Sequence, residues 1–116
     1  MRTILVVDDE PEIRAIVAET LVSAGYVVIE AGGCRAALVV LARQPVTLLL
    51  TDIRMPCCTG TDLAEQAHAL YPMLRIILMT GFAINGFAHP CLAKPFRMVN
   101  MLATVRAMLT EQPVVH

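Results

Sequence analysis

The sequence predicts an α/β domain built on a parallel sheet, and three observations predict it. Five short apolar runs, at Thr3 to Val7, Tyr26 to Glu30, Val46 to Thr51, Leu74 to Met79 and Cys91 to Ala93, alternate with longer stretches of helical periodicity. Most of the runs are apolar throughout rather than alternating, the pattern of strands covered on both faces. Three of them end on charge: Asp8 and Asp9 follow Val7, Asp52 follows Thr51, and Lys94 follows Ala93. Right-handed crossovers bring the carboxyl ends of parallel strands to one edge, so these groups are expected to share a crevice.

Each element carries its own signals. Asp9-Glu10-Pro11-Glu12 after the first run supplies a cap, a proline suited to a first turn and acids near a helix N-terminus. Ile13, Ile16, Val17, Thr20, Leu21 and Ala24 recur at helical spacing until Gly25 ends the helix. The strand at Tyr26 to Glu30 leads through a Gly32-Gly33 turn to a helix from Cys34 to Arg43, stopped before Pro45. After the strand at Val46 to Thr51, Thr59-Gly60-Thr61-Asp62 opens a helix that runs to Leu70, with Tyr71-Pro72 as its stop. Leu74 to Met79 is the fourth strand, and the last helix spans Arg97 to Thr110 ahead of a frayed tail from Gln112 to His116.

Between Thr80 and Lys94 the rhythm breaks. Gly81, the Asn85-Gly86 turn signal and Pro90 leave room for one helical turn at most. Phe82, Ile84 and Phe87 in this stretch either fold back over the sheet or form a patch for a partner. In the last helix Met98, Leu102, Val105 and Leu109 make one core-facing stripe, and Val99, Met101 and Met108 lie off it. A helix apolar on more than one side makes the region around it a candidate homodimer interface.

Composition narrows the function. A chain of 116 residues with 57% hydrophobic and 16% charged residues is long enough for one domain with a sizeable core, and it excludes disorder over most of its length. The formal charge of -1 has no basic stripe behind it, so direct DNA binding and contact with an acidic membrane are not expected. The N-terminus lacks the apolar core of a signal peptide and no run approaches membrane-spanning length, so a cytoplasmic location is expected. Cys34, Cys57, Cys58 and Cys91 follow no C-x-x-C spacing, and a ring closed between Cys57 and Cys58 would be strained. Buried small hydrophobes in a reducing compartment are their expected role, with thiol chemistry at Cys57 and Cys58 the alternative.

The crevice has a chemistry. Crowded carboxylates repel one another unless a hard divalent cation such as Mg2+ neutralises them, and a lysine beside them would then face an anion. Alone, the Asp8-Asp9 pair would read as a helix cap, Thr80 as a turn hydroxyl and Lys94 as a solvated surface residue. Asp52 resists such a reading, because a carboxylate ending a Leu-Leu-Leu run is costly to desolvate without a partner.

Val6-Val7-Asp8-Asp9-Glu10-Pro11, Thr51-Asp52-Ile53-Arg54-Met55-Pro56 with Gly60, Met79-Thr80-Gly81 and Lys94-Pro95-Phe96 together closely resemble the receiver domain of bacterial two-component response regulators. The resemblance covers essentially the whole chain, residues 1–116, as a single receiver domain. It implies a flavodoxin-like, doubly wound, five-stranded parallel sheet with the fourth helix truncated or missing. It also implies that Asp52 accepts a phosphoryl group from a phosphohistidine on a histidine kinase or histidine phosphotransfer protein. Asp9 is then the direct Mg2+ ligand, Asp8 a ligand through water or an acid holding the metal shell, and the Arg54 backbone carbonyl a further ligand beside Asp52. Lys94 pairs with one phosphoryl oxygen, the Thr80 hydroxyl and Gly81 amide hydrogen-bond another, and the bond before Pro95 is cis.

Such a domain catalyses only its own aspartyl phosphorylation and dephosphorylation. No segment beyond the last helix suggests an output domain, so the expectation is action by docking to a downstream protein or by phosphoryl relay. Receivers usually carry a tyrosine or phenylalanine three positions before the lysine, and here that position is Cys91. A phosphorylation-independent interaction module on the same fold is therefore the alternative. A phosphohydrolase acting on outside substrates is disfavoured, because Arg54 stands where a second acid or base two residues after Asp52 would be needed.

Overall fold

The computed structural model describes residues 2–56, 58–81 and 89–110. Strands β1 (Thr3–Val7), β2 (Val27–Ala31), β3 (Leu48–Asp52), β4 (Arg75–Thr80) and β5 (Cys91–Ala93) form one sheet in the order β2-β1-β3-β4-β5, and every pairing is parallel. Helices α1 (Pro11–Ser23), α2 (Cys34–Arg43), α3 (Gly60–Leu70) and α4 (Met98–Thr110) are the four helices among the described residues. The chain leaves β1 for one side of the sheet and then crosses to the other, so the strand order reverses between β1 and β3. That is where an open parallel sheet forms a crevice at its carboxyl edge.

Alternation along the central strands divides the core into two. Ile4, Val6, Leu48, Leu50, Ile77 and Met79 face α1 and α4, meeting Val17, Leu21, Met101, Val105 and Leu109. Leu5, Val7, Leu49, Ile76 and Leu78 face α2 and α3, meeting Ala37, Leu41, Leu63, Ala64 and Ala67. Burial on both faces is why these strands lack a polar alternation. Removing this apolar surface from water is the main favourable contribution to folding.

The expected elements lie where the sequence places them, with ends displaced by a residue or two. β2, β3 and β4 each finish one residue later than the apolar runs, which adds Ala31, Asp52 and Thr80 to the ladders. Gly25, with φ of +100°, takes the left-handed turn after α1 that a side chain would resist. The cap of α1 differs from expectation: Glu10 occupies it without a side-chain hydrogen bond, while Asp8 Oδ1 accepts from the Glu10 amide at 2.9 Å. At α3 the Thr59 hydroxyl accepts from the Asp62 amide at 3.1 Å, a side-chain cap of the expected kind.

Two expectations need correction. In α4 the fully buried residues are Met101, Val105 and Leu109, with Met98, Leu102 and Met108 half-buried around them. The expected stripe faces the core, and Met101 joins it as a fully buried residue, leaving Val99 as the helix's one large exposed hydrophobic side chain among the described residues. A helix apolar on nearly every side does not reveal which residues are buried most deeply. The second correction concerns thiols: Cys34, Cys58 and Cys91 are half-buried rather than buried, and a disulfide joins Cys34 to Cys58. Cys57, Phe82, Ile84 and Phe87 lie outside the described residues.

Candidate functional site

The carboxyl edge gathers its charge around one ammonium group. Asp8, just past the end of β1, is fully buried, and its backbone is fixed by its amide donating to Ala31 O at 3.2 Å and by Arg14 Nη1 donating to its carbonyl at 2.7 Å. Lys94, just past β5, reaches back so that Nζ lies 3.3 Å from Asp8 Oδ2 and 3.4 Å from Asp52 Oδ1. Its own amide donates to Thr80 O at 2.6 Å, which continues the β4–β5 ladder by one residue and sets where the side chain starts. The Lys94–Pro95 bond is cis.

Asp52 ends β3 and is 6% exposed. The Ile53 amide donates to Met79 O at 3.0 Å, so the strand is held past the carboxylate. On the other side α3 begins almost in contact with it. A Cβ added to Gly60 would lie 2.1 Å from the Asp52 carbonyl oxygen, so only glycine allows this approach. The Gly60 amide donates to Ile53 O at 2.8 Å, and Arg54 and Thr59 form an antiparallel bridge, closing the loop after Asp52 into a tight turn back to α3.

The electrostatics are unbalanced toward negative charge. Burial pushes the Asp52 carboxyl above its ordinary range, Lys94 pulls it down, and Asp8 and then Asp9 push it up again. Burial works to lower the Lys94 ammonium, but Asp52 and Asp8 outweigh it and the net direction is upward. Asp8, Glu10 and Asp52 each place a carboxylate oxygen within 4.8 Å of the others. Three carboxylates around one ammonium leave a surplus of negative charge carried by hard oxygen donors. Such a set fits a divalent cation of the Mg2+ type, which binds through few carboxylates and keeps its remaining positions for water or phosphate.

The sequence-predicted residues arrive at the site in different ways. Asp8, Asp52 and Lys94 are in direct contact, while Arg54, Thr80 and Gly81 line the same crevice. Asp9 is half-buried and near enough to act on Asp52, but its carboxylate is not among the three that cluster. Glu10, which also caps α1, brings its carboxylate to that cluster, a placement not expected from the sequence. The signal was the unbroken acidic run Asp8-Asp9-Glu10, in which a bend in the backbone brings the carboxylates of Asp8 and Glu10 to one cluster.

The response regulator receiver domain family profile matches residues 4–106. The receiver protein CpdR of Brucella abortus is 32% identical, with 94% of this chain and 98% of that protein covered. The sensor kinase CckA of the same organism is 30% identical over 95% of this chain, which spans only 13% of the kinase's length. Among solved structures, the response regulator TrrA of Thermotoga maritima, in complex with Mg(2+)-BeF, is 29% identical with a TM-score of 0.85, covering 93% of this chain and 99% of that one. A receiver domain from Methanospirillum hungatei is 30% identical with a TM-score of 0.89, covering 96% and 95%. The parallel order β2-β1-β3-β4-β5, the carboxylates around Lys94 and these similarities agree: the chain belongs to the response regulator receiver domain family.

Proposed function

We propose that this chain is the phosphoacceptor of a two-component phosphorelay, taking a phosphoryl group on Asp52 from a phosphohistidine with Mg2+ bound beside it. The observation that carries the reading is Lys94 held between buried Asp8 and Asp52. An Asp52 carboxylate oxygen attacks the phosphorus, the phosphorus–nitrogen bond breaks, and the imidazole leaves and regains a proton. Lys94 already lies on the Asp52 oxygen and takes up part of the negative charge of the incoming group, with the Thr80 hydroxyl and Gly81 amide available to its other oxygens. Asp8, Asp9, the Asp52 carboxylate and the Arg54 carbonyl are the proposed metal-holding groups, with Glu10 placed to join them. The cation supplies charge neutralisation for the transferring oxygens.

The donor's docking surface is proposed on the same side. Ile13, Ile16, Pro95, Phe96 and Met98 line an apolar groove that Lys94 shares with the crevice, and Ile16 is 51% exposed. A kinase or phosphotransfer protein seated there would bring its histidine to Asp52. No described helix is long and apolar enough to cross a membrane, and we place the protein in the cytoplasm, where such donors present their phosphohistidine.

Intact-mass measurement after treatment with a small phosphodonor tests the reading. One added phosphoryl group in the presence of Mg2+, and none after chelation, is the expected result. The second reading, an interaction module independent of phosphorylation, is favoured by Cys91, which is too small to act as a rotating aromatic reporter. Partner binding that stays the same with and without the phosphoryl group would select it.

A further inference from the structure

The disulfide between Cys34 and Cys58 spans 24 residues of sequence with its Cα atoms 6.3 Å apart. This separation lies inside the range that a disulfide bridges without backbone movement. Cys34 is the first residue of α2, and Cys58 lies in the loop that runs from Asp52 to α3. Both sulfurs also lie beside the Thr59 carbonyl, at 3.9 and 3.4 Å. That loop has little slack, since Thr59 pairs with Arg54 and Gly60 is pressed on the Asp52 carbonyl. A displacement of Cys58 therefore reaches the Asp52 backbone across two residues. The pair borders a surface groove with Arg35, Leu38, Val39 and Ala42, so small oxidants and reductants have access to it.

We propose that Cys34 and Cys58 are a reversible redox site, oxidised by hydroperoxides, whose state sets the loop from Arg54 to Gly60 and with it the readiness of Asp52 for phosphorylation. The last part rests on the phosphoacceptor reading above. Oxidation balances simply: one thiol attacks the hydroperoxide, giving a sulfenic acid and an alcohol or water, and the second thiol then displaces water from that sulfur. A dithiol reverses it, returning two electrons and two protons to the cysteines and leaving as its own disulfide. Disulfides in a reducing compartment are mostly transient and redox-sensing, which suits a pair placed at a signalling loop rather than in a core. When bonded, the sulfurs fasten the outer limb of the loop to α2 and keep the Arg54–Thr59 bridge formed. When reduced, they move apart to non-bonded distance and the loop loosens. Cys91 belongs to a different class, because burial raises its thiol and its Sγ donates to His89 O at 3.4 Å.

The test uses the full chain carrying Cys57→Ser and Cys91→Ser, so that only the proposed pair remains. After one equivalent of hydroperoxide, both thiols should resist alkylation, and dithiothreitol should restore them. Hydrogen exchange of the amides from Ile53 to Gly60 should slow by roughly tenfold on oxidation. Labelling by a small phosphodonor should be roughly threefold faster in the oxidised form, and Cys34→Ser should remove both differences. Thiols that stay free after hydroperoxide overturn the proposal, as does equal exchange in the two states. If labelling occurs but is equal or slower in the oxidised form, the coupling to Asp52 is overturned. If exchange changes while neither form labels, the redox site and its hold on the loop stand, and the phosphoacceptor reading falls.

Discussion

Asp52 stands between two unlike walls. On one side the Lys94 ammonium bridges it to Asp8, anchored by strand ends and the α1–α4 layer, and every contact is polar and nearly buried. On the other side the loop to α3 approaches by backbone alone, through the Gly60 contact and the Arg54–Thr59 bridge, with a disulfide as its outer fastening. The charged wall can stabilise an incoming anion without moving, because its groups are already desolvated and oriented. The backbone wall can be adjusted by small shifts of the chain. On the proposed function, one wall would serve the transfer itself and the other its control.

Removing the charged wall should have the largest effect. Lys94→Ala strands Asp8 and Asp52 without their cation in a buried place, and should cost about 3 kcal/mol of stability by urea denaturation, with phosphoryl uptake lost. A loss within experimental error would mean that the carboxylates do not depend on Lys94. Gly60→Ala tests the other wall by packing alone, since its Cβ has no room beside the Asp52 carbonyl. About 2 kcal/mol should be lost, and uptake should slow through displacement of the acceptor backbone. An unchanged protein would show that the loop is freer than this contact implies.

A smaller effect has the opposite sign. Because its native carboxyl is raised above the unfolded value, chiefly by burial, ionised Asp52 destabilises the fold at neutral pH. Asp52→Asn should then be more stable than the wild type near pH 7. The gain should shrink as pH falls through the raised native value and vanish below the unfolded one, where the wild-type carboxyl is also neutral. A gain that persisted in acid would place its cause elsewhere. The smallest change in stability is expected outside the crevice: Ile16→Glu, on the exposed groove next to Lys94, should alter stability by less than about 0.5 kcal/mol. It should nevertheless slow transfer from a phosphohistidine protein by roughly tenfold while labelling by a small phosphodonor stays the same. Equal slowing from both donors would remove the groove from the docking surface.

Asp8, Asp52 and Lys94 could be brought together from sequence because each ends an apolar run, and parallel strands deliver such ends to one edge whatever the details of packing. Their contact depends on that topology and not on adjacency, since β4 lies between β3 and β5. Glu10's place in the carboxylate cluster was hidden because it depends on a backbone bend, held by Asp8 Oδ1 on its amide, that no periodicity records. The Cys34–Cys58 pair was hidden for a related reason. Its partners are 24 residues apart and meet only because the crossover places the start of α2 beside the loop before α3. In α4 the expected stripe of Met98, Leu102, Val105 and Leu109 does face the core, but Met101 was left off it, because apolar residues on several sides leave the core to choose which of them to bury most deeply.

The acceptor itself can be identified by chemistry that leaves a mark. An aspartyl phosphate is an acyl phosphate, and borohydride reduces it to the alcohol of homoserine, which survives peptide mapping. After phosphodonor and Mg2+, homoserine should appear at position 52 alone, and no homoserine should form in Asp52→Asn. Homoserine at Asp8 or Asp9, the five-carbon 2-amino-5-hydroxyvaleric acid at Glu10, or a phosphorylated species that persists in Asp52→Asn, would contradict the assignment of the acceptor.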